Sequence, residues 1–224
     1  MNLTLLTAAS NATLIGHVHV AKTAGTTING VLALNFHNVC GHKGYSLTYS
    51  AYQRKGAVLK GEGKVMPLFM MQRGFEDCDW LSHEIGWRFW LTLPRPLELH
   101  IPCRNITEHL LSVANYRGMK FNCQGDARSE FQRIVGSFMH VGGRFHINLT
   151  RTDGITAKCF DPSQYIPYMS TRLAPKRELT TYALRPTNKK RPIMCLPENI
   201  VDAALEHPYY KYCNDCERLD AAER

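Results

Sequence analysis

Residues Leu14–Val31 read LIGHVHVAKTAGTTINGV, and this stretch decides the fold class. Its first part, Leu14–Val20, alternates in the period-two pattern of a β-strand. After a tight loop, apolar residues recur at helical spacing, at Ile28, Val31, Leu32 and Phe36. The stretch therefore predicts a strand, a loop and a helix in direct succession, which is the repeating unit of an α/β fold.

The loop between the two elements has the composition of an anion site. It reads Lys22-Thr23-Ala24-Gly25-Thr26-Thr27, with one lysine, one glycine and three threonines. A helix N-terminus offers unpaired N–H groups and the positive end of its dipole. Gly25 permits close approach of the backbone, and Lys22 adds a point charge. We expect a phosphate or sulfate group here, and an ordinary threonine-rich turn is the alternative.

The order of these residues argues against an ATP-binding Walker loop. That motif, GxxxxGK[ST], places the lysine after the glycines. In this chain the lysine comes first, and GK[ST] occurs nowhere in the sequence.

A second strand-to-helix unit begins at Leu97. Leu97–Cys103 reads as a short strand, and Arg104–Glu108 begins a helix. Asn105 is a good N-cap residue, and Glu108 completes a capping-box arrangement three residues later. Ile106, Leu110, Val113 and Ala114 are expected on the buried face. Arg104, at the end of the strand, can therefore bind a phosphate with two N–H groups. The Ser112 hydroxyl lies about two turns along the helix and can donate to the same group.

The rest of the chain predicts one α/β domain spanning residues 1–224 with a mostly parallel sheet. Residues 1–13 are expected to be a flexible N-terminal segment. We expect a strand at Val65–Gln72 and helices at Ser129–Met139 and Glu198–Glu206. Loops are expected over most of the remainder: around Cys40–Lys64 with a short helix, up to Lys158 after the Ser129 helix, and over Pro162–Pro192.

Together the two motifs resemble those of sulfotransferases that use 3′-phosphoadenosine 5′-phosphosulfate (PAPS). The family's first motif is typically PKTGGTS or PKTASTS, and its second is roughly FLRDPVERVLSHY, in which an arginine and a serine eight residues later bind the 3′-phosphate. Arg104 and Ser112 have that spacing. The chain resembles the Golgi-type carbohydrate enzymes, which include those acting on heparan and on chondroitin or dermatan. Cys216–Asp220 resembles a family tail of the form TERLDES.

Two departures suggest a divergent member of that family. Ala21 stands where the family has proline, and Asn105-Ile106 stands where it has Asp-Pro. Neither change removes a side chain that would bind phosphate.

The resemblance implies a three-layer fold of the P-loop NTPase type and transfer of a sulfuryl group from PAPS to a hydroxyl, expected on a carbohydrate. It assigns the 5′-phosphosulfate to Lys22, Thr23, Ala24, Gly25, Thr26 and Thr27, and the 3′-phosphate to Arg104 and Ser112. Lys22 would also stabilise the departing oxygen. No metal is expected to take part.

The family's general base is a histidine or glutamate in a stretch like GHLPYG, some twenty residues before the arginine motif. Ser82–Trp87 occupies that place here. His83 is the candidate because imidazole titrates near neutrality, and Glu84 is second. The alternative is that His83 is a structural histidine.

The formal net charge of +8 and the pI near 9.1 favour anionic partners. Nucleic acid is not expected, because no RNP motif, zinc-finger spacing or basic-aromatic repeat is present. The expected partners are the nucleotide donor and an acidic or neutral glycan acceptor. Trp80, Trp87, Phe89 and Trp90 could line a sugar site, although core packing is the favoured interpretation.

Eight cysteines and four N-x-[ST] sequons indicate an oxidising compartment, expected to be the Golgi lumen or secretory pathway. The sequence does not determine how the cysteines pair. Cys213 and Cys216 form a CxxC that we interpret as disulfides or thiols rather than a metal site. No transmembrane helix is expected, and MNLTLLTAAS is not a convincing signal peptide.

Two other functions are compatible with the sequence. One is a catalytically inactive module that binds PAPS or an acidic glycan. The other is a small-molecule kinase, against which the missing GK[ST] counts.

Overall fold

A computed structural model describes residues 13–41, 75, 78–83, 90, 91, 93, 96–136, 154–176 and 195–219. Its strands are β1 (Leu14–Val18), β2 (Val39–Gly41), β3 (Trp80–His83), β4 (Leu97–Pro102) and β5 (Ile155–Phe160). Its α-helices are α1 (Gly25–Asn35), α2 (Ile106–Arg117), α3 (Ala127–Phe131), α4 (Tyr165–Ser170), α5 (Ile200–Leu205) and α6 (Pro208–Asp215). A π-helical turn, Gln132–Gly136, continues α3.

The five strands form one parallel sheet in the order β2-β3-β1-β4-β5. In the central strand His17 lies opposite Ser82 of β3 and His100 of β4. Every described strand pair is parallel, so each connection must cross back over a face of the sheet. The predicted α/β class with a mostly parallel sheet flanked by helices is confirmed.

Each face of the sheet carries its own apolar cluster. On one face Ile15, Trp80 and Phe160 pack against α1 and α4. On the other, Leu14, Leu81, Leu99 and Ile101 pack against the helices that follow β4 and those near the C-terminus. The alternation of strand side chains produces the two clusters, because neighbouring residues point to opposite faces.

The tryptophans that the structure describes belong to the core. Trp80 and Trp90 are almost completely buried, and the Trp80 indole N–H donates to the Tyr165 hydroxyl at 2.9 Å. Core packing is therefore the role of both, as favoured above. Trp87 and Phe89 lie outside the described residues.

Several elements differ from the sequence-based expectation. β2 overlaps the start of the segment expected to be mainly loop, β5 overlaps the end of the loops expected up to Lys158, and α4 lies in the Pro162–Pro192 segment expected to be mostly loop. β5 was missed because it alternates apolar with polar residues along only six positions, and its stability comes from pairing with β4. The predicted strand at Val65–Gln72 and residues 1–12 lie outside the described residues.

All eight cysteines are paired. The disulfides are Cys40–Cys78, Cys103–Cys213, Cys123–Cys195 and Cys159–Cys216. Cys213 and Cys216 are thus both oxidised, but to different partners. Four disulfides are compatible with a secreted or lumenal protein. Within the part of the chain that the structure describes, no helix has the length and hydropathy to cross a membrane.

Candidate functional site

The site lies where the direction of the chain across the sheet reverses. From β1 the chain passes through α1 to β2, the strand at one edge of the sheet. From β4, the neighbour of β1, it passes through α2 toward β5, the strand at the opposite edge. Such a switch point opens a crevice beyond the carboxyl ends of the two strands, where ligands of parallel sheets bind. The loops that follow β1 and β4 line this crevice.

The loop after β1 has a fixed, unusual backbone. Lys22 and Ala24 both have left-handed conformations, with φ of 66° and 65°. The buried Thr23 side chain holds the turn between them, because its hydroxyl donates to the Val20 carbonyl at 2.7 Å. The Thr23 hydroxyl therefore donates within the loop and stabilises its shape. From the sequence, Thr23 was expected to bind the phosphosulfate.

The helix N-terminus at the end of this loop has no side-chain cap. Ala24 is the N-cap residue of α1 and has no side chain that could bind the first N–H groups. The first internal bond of the helix runs from the Ile28 N–H to the Ala24 carbonyl, so the preceding amides, from Gly25 to Thr27, have no intrahelical acceptor. Because they sit at the positive end of the helix dipole, an anion is favoured there.

Gly25 is required by its neighbour. The His19 ring lies so close to its Cα that a Cβ at position 25 would overlap the imidazole. The glycine thus allows the histidine after β1 to pack directly against the first turn of α1.

The loop after β4 places Arg104 against the loop after β1. An Arg104 Nη1 donates to the Lys22 carbonyl at 3.4 Å, while its Nε and Nη2 donate to the Glu108 carboxylate at 3.1 Å each. Asn105 caps α2 as predicted, accepting from the Glu108 N–H at 3.1 Å. Three donors of one guanidinium thus fix its orientation at the crevice.

The Lys22 ammonium is held beside α2. Its Nζ lies 4.7 Å from the centroid of the Tyr116 ring, a cation–π contact. Partial burial lowers the pKa of Lys22, and the nearby charge of Arg104 lowers it further. Two cations brought together in this way favour an anionic ligand between them.

Ser112 lies on the same side of α2 as Glu108 and Tyr116, at four-residue intervals. Its side chain is 8% exposed, and its hydroxyl has no hydrogen-bond partner among the described residues. A buried hydroxyl without a hydrogen-bond partner lowers the free energy of unfolding. The hydroxyl oxygen is itself shielded from solvent, so a phosphate oxygen would reach it only after neighbouring groups move.

A buried histidine connects α2 to the loop after β1. His109 Nε2 lies 2.8 Å from the Ala21 carbonyl, and Nδ1 lies 2.9 Å from the Tyr210 hydroxyl of α6. Burial lowers the pKa of His109 to about 4, so the ring is neutral near pH 7. Since a carbonyl only accepts, Nε2 carries the proton and Nδ1 accepts from the tyrosine.

His83 ends β3 beside β1. It lies opposite Val18 in the sheet register, its carbonyl accepts from the His19 N–H at 3.0 Å, and its ring packs edge-on against Trp90. It is 8% exposed, at the same carboxyl edge of the sheet as the Lys22 loop. The other base candidate, Glu84, lies outside the described residues.

No family model matches the chain, and comparison with curated proteins and with solved structures gave no match. Interpretation of the site therefore depends on its own residues and geometry.

One group of potential metal ligands stands out in the described part of the chain, and disulfides account for it. The Sγ atoms of Cys103, Cys159 and Cys216 lie within 4.8 Å of one another. Cys103 is bonded to Cys213, and Cys159 to Cys216, so the sulfurs are oxidised.

Three site residues were not identified from sequence: His19, His109 and Tyr116. Tyr116 follows Ser112 by four residues, a spacing that would have placed both on one side of the helix. The contacts of His19 with Gly25 and of His109 with Ala21 join segments whose approach depends on the fold.

Proposed function

We propose that this protein is a PAPS-dependent sulfotransferase with a P-loop NTPase-like fold. The single observation that carries the proposal is the contact between Arg104 and the Lys22 carbonyl at 3.4 Å. The two motifs expected to bind opposite ends of one nucleotide are thus neighbours at a topological switch point.

The donor's 5′-phosphosulfate would bind at the N-terminus of α1. The free N–H groups after Ala24 would donate to its oxygens, and Lys22 would supply the compensating charge. The left-handed residues Lys22 and Ala24 shape this loop before any ligand arrives, which lowers the entropic cost of binding.

The 3′-phosphate would bind between Arg104 and Ser112. The guanidinium provides planar, bidentate donors, and the unpartnered Ser112 hydroxyl provides a third. The Glu108 carboxylate accepts from two of the Arg104 donors, so a phosphate must share those donors with it or replace it.

In the proposed reaction an acceptor hydroxyl oxygen attacks the sulfur of PAPS in line with the departing phosphate oxygen. The new oxygen–sulfur bond forms as the sulfur–oxygen bond to the phosphate breaks. The hydroxyl proton passes to His83, and adenosine 3′,5′-bisphosphate leaves. Lys22 and the α1 amides stabilise the charge that develops on the leaving phosphate.

The acceptor proposed is a carbohydrate, and the compartment proposed is the Golgi lumen. The net charge of +8 would attract an acidic glycan at long range. The four disulfides fit folding along the secretory route.

Nucleotide binding tests this proposal. Titration calorimetry in excess chelator should show binding of adenosine 3′,5′-bisphosphate, and adenosine 5′-monophosphate should bind more weakly. Arg104→Ala should weaken the bisphosphate selectively, because only that ligand carries a 3′-phosphate. Arg128→Ala is the matched control, since Arg128 is exposed and pairs with Glu206 on another part of the surface.

The competing functions give different results in the same experiment. Binding of ATP that depends on magnesium, without binding of the bisphosphate, would indicate a kinase and refute the proposal. Binding of the bisphosphate without any sulfate transfer would indicate an inactive binding module.

A further inference from the structure

Two disulfides lie side by side where β4 and β5 end. Cys103–Cys213 joins the residue after β4 to α6, and Cys159–Cys216 joins β5 to the residue after α6. The Sγ atoms of Cys103, Cys159 and Cys216 all lie within 4.8 Å of one another. A sulfur released from one disulfide would therefore have a sulfur of the other within short reach.

We propose that these four cysteines form a thiol–disulfide exchange site that controls the position of the Lys22 loop. The co-reactant is a dithiol reductant. The site is defined by sulfur positions and by the contacts of α6, so it does not depend on the proposed sulfuryl transfer.

The exchange begins at Cys216, which is partly exposed, whereas Cys103, Cys159 and Cys213 are at most 8% exposed. A thiolate of the reductant attacks the Cys216 sulfur. The bond to Cys159 breaks, and Cys159 leaves as a thiolate. Access selects the first sulfur attacked, because reaction rates depend on exposure as well as on thiolate character.

The released Cys159 thiolate then attacks the neighbouring sulfur of Cys103. A Cys103–Cys159 disulfide forms, the bond to Cys213 breaks, and Cys213 takes up a proton. The second thiol of the reductant displaces Cys216 and closes the reductant's own disulfide. In total two electrons and two protons enter the chain, and two disulfides become one.

The new pairing joins two strands that already pair, but Cys103 lies two positions beyond Ile101, the register partner of Cys159, so the strand ends must shift locally. β4 and β5 are already paired, with Ile101 opposite Cys159, and the Cys103 N–H donates to the Phe160 carbonyl at 2.8 Å. Joining Cys103 to Cys159 therefore links two segments that are already neighbours. The exchange removes the Cys159–Cys216 link and, with it, the covalent link between β4 and α6.

Loss of that link reaches the anion-binding loop through two tyrosines. Tyr209 of α6 donates to the Pro102 carbonyl at the end of β4. Tyr210 donates to His109, and His109 donates to the Ala21 carbonyl, directly before Lys22. Release of Cys213, three residues after Tyr210 on the same helix, would loosen both contacts.

Timed reduction of the unmodified chain tests the proposal. The chain is treated with limiting dithiothreitol, quenched in acid, alkylated and mapped by mass spectrometry, with cleavage before Asp215 to separate Cys213 from Cys216. We expect a Cys103–Cys159 peptide pair to appear while Cys213 and Cys216 become alkylated. Cys40–Cys78 is the internal control, since both residues are buried and lie outside the cluster.

The double variant Cys159→Ala/Cys216→Ala removes the relay and leaves Cys103–Cys213 in place. Reduction of that buried disulfide should then be slower by about tenfold. If the variant does not fold, mapping of the unmodified chain decides alone. Absence of the Cys103–Cys159 pair at every time point would overturn the exchange.

Hydrogen exchange measures the coupling to the loop. In the chain that carries the Cys103–Cys159 disulfide, the backbone amide hydrogens of residues 21–25 should exchange with solvent about tenfold faster than in the chain with all four original disulfides. Unchanged exchange at these amides after Cys213 has been alkylated would overturn the control of the Lys22 loop. Neither readout uses a nucleotide, so failure here is distinguishable from failure of the proposed function.

Discussion

Arg104 donates a hydrogen bond to the backbone carbonyl of Lys22, 3.4 Å away, and so joins the loops that follow β4 and β1. The residues are 82 positions apart in the chain, and each lies in the connection that follows its strand. One side chain therefore holds both halves of the candidate nucleotide site in register.

Arg104→Lys tests this relationship. A lysine keeps the positive charge but cannot contact the Lys22 carbonyl, Glu108 and a phosphate with a planar set of donors. We expect the affinity for adenosine 3′,5′-bisphosphate to fall about tenfold, measured by calorimetry. Equal affinity in the variant would mean that charge alone is sufficient, and the proposed bidentate contact would be wrong.

Gly25→Ala should damage the loop, because the new Cβ would overlap the His19 ring. Forced repacking of this kind costs about 1–3 kcal/mol of unfolding free energy, measured by urea denaturation. Nucleotide binding should weaken as well, because the first turn of α1 must shift.

Gly30→Ala, in the same helix, is the matched control. A Cβ there would meet no atom within 4 Å. The substitution should stabilise the protein by about 0.5–1 kcal/mol, since alanine loses less backbone entropy in a helix. If both variants changed stability alike, the contact between Gly25 and His19 would not explain the glycine.

Ser112→Ala should separate stability from binding. Because the Ser112 hydroxyl is buried without a partner, its removal should leave the free energy of unfolding unchanged or raise it by about 1 kcal/mol. The affinity for adenosine 3′,5′-bisphosphate should nevertheless fall several-fold. A large loss of stability would show that the hydroxyl serves the fold and not a ligand.

Lowering the pH should destabilise the protein at values above those at which its carboxylates take up protons, because of its buried histidines. Burial lowers the pKa of His109 to about 4 and also lowers the pKa of His17 and His100. For His109, Arg104 and Lys22 lower the pKa further, while the hydrogen bond to Ala21 opposes the shift. Between the ordinary value of 6.5 and about 4, the unfolded chain binds more protons than the folded one.

The stabilisation from neutral His109 is therefore complete above its ordinary pKa and is lost as the pH falls toward 4. From about pH 7 to about pH 5 we expect a loss of about 2 kcal/mol from His109 alone. Urea denaturation at both pH values measures it, and His109→Gln should reduce the loss. Equal stability of the unmodified protein at both pH values would contradict the buried neutral ring.

The sequence predicted the two strand-to-helix units of the site because their signals are local. Period-two alternation identified β1, and the N-cap Asn105 with Glu108 identified the start of α2. A helix at Glu198–Glu206 was also expected, and α5 lies within that range. α6 was missed even though Pro208 at its first turn is a common helix-start residue.

The remaining features depend on contacts between distant segments. β3 is only four residues long and is identified by its pairing with β1 and β2. The engagement of Thr23 with Val20, the burial of Ser112 and the pairing of the cysteines follow from the three-dimensional arrangement. Local sequence patterns carry no information on these points.

The central claim is tested most directly by transfer of labelled sulfate from PAPS to a panel of glycans, without added metal. The account predicts a labelled glycan with the unmodified protein. Lys22→Ala should abolish the label, and His83→Ala should reduce it by about a hundredfold or more. Arg128→Ala should leave it unchanged. Transfer that persists undiminished in Lys22→Ala, or no transfer to any glycan by a protein that binds adenosine 3′,5′-bisphosphate, would contradict the account.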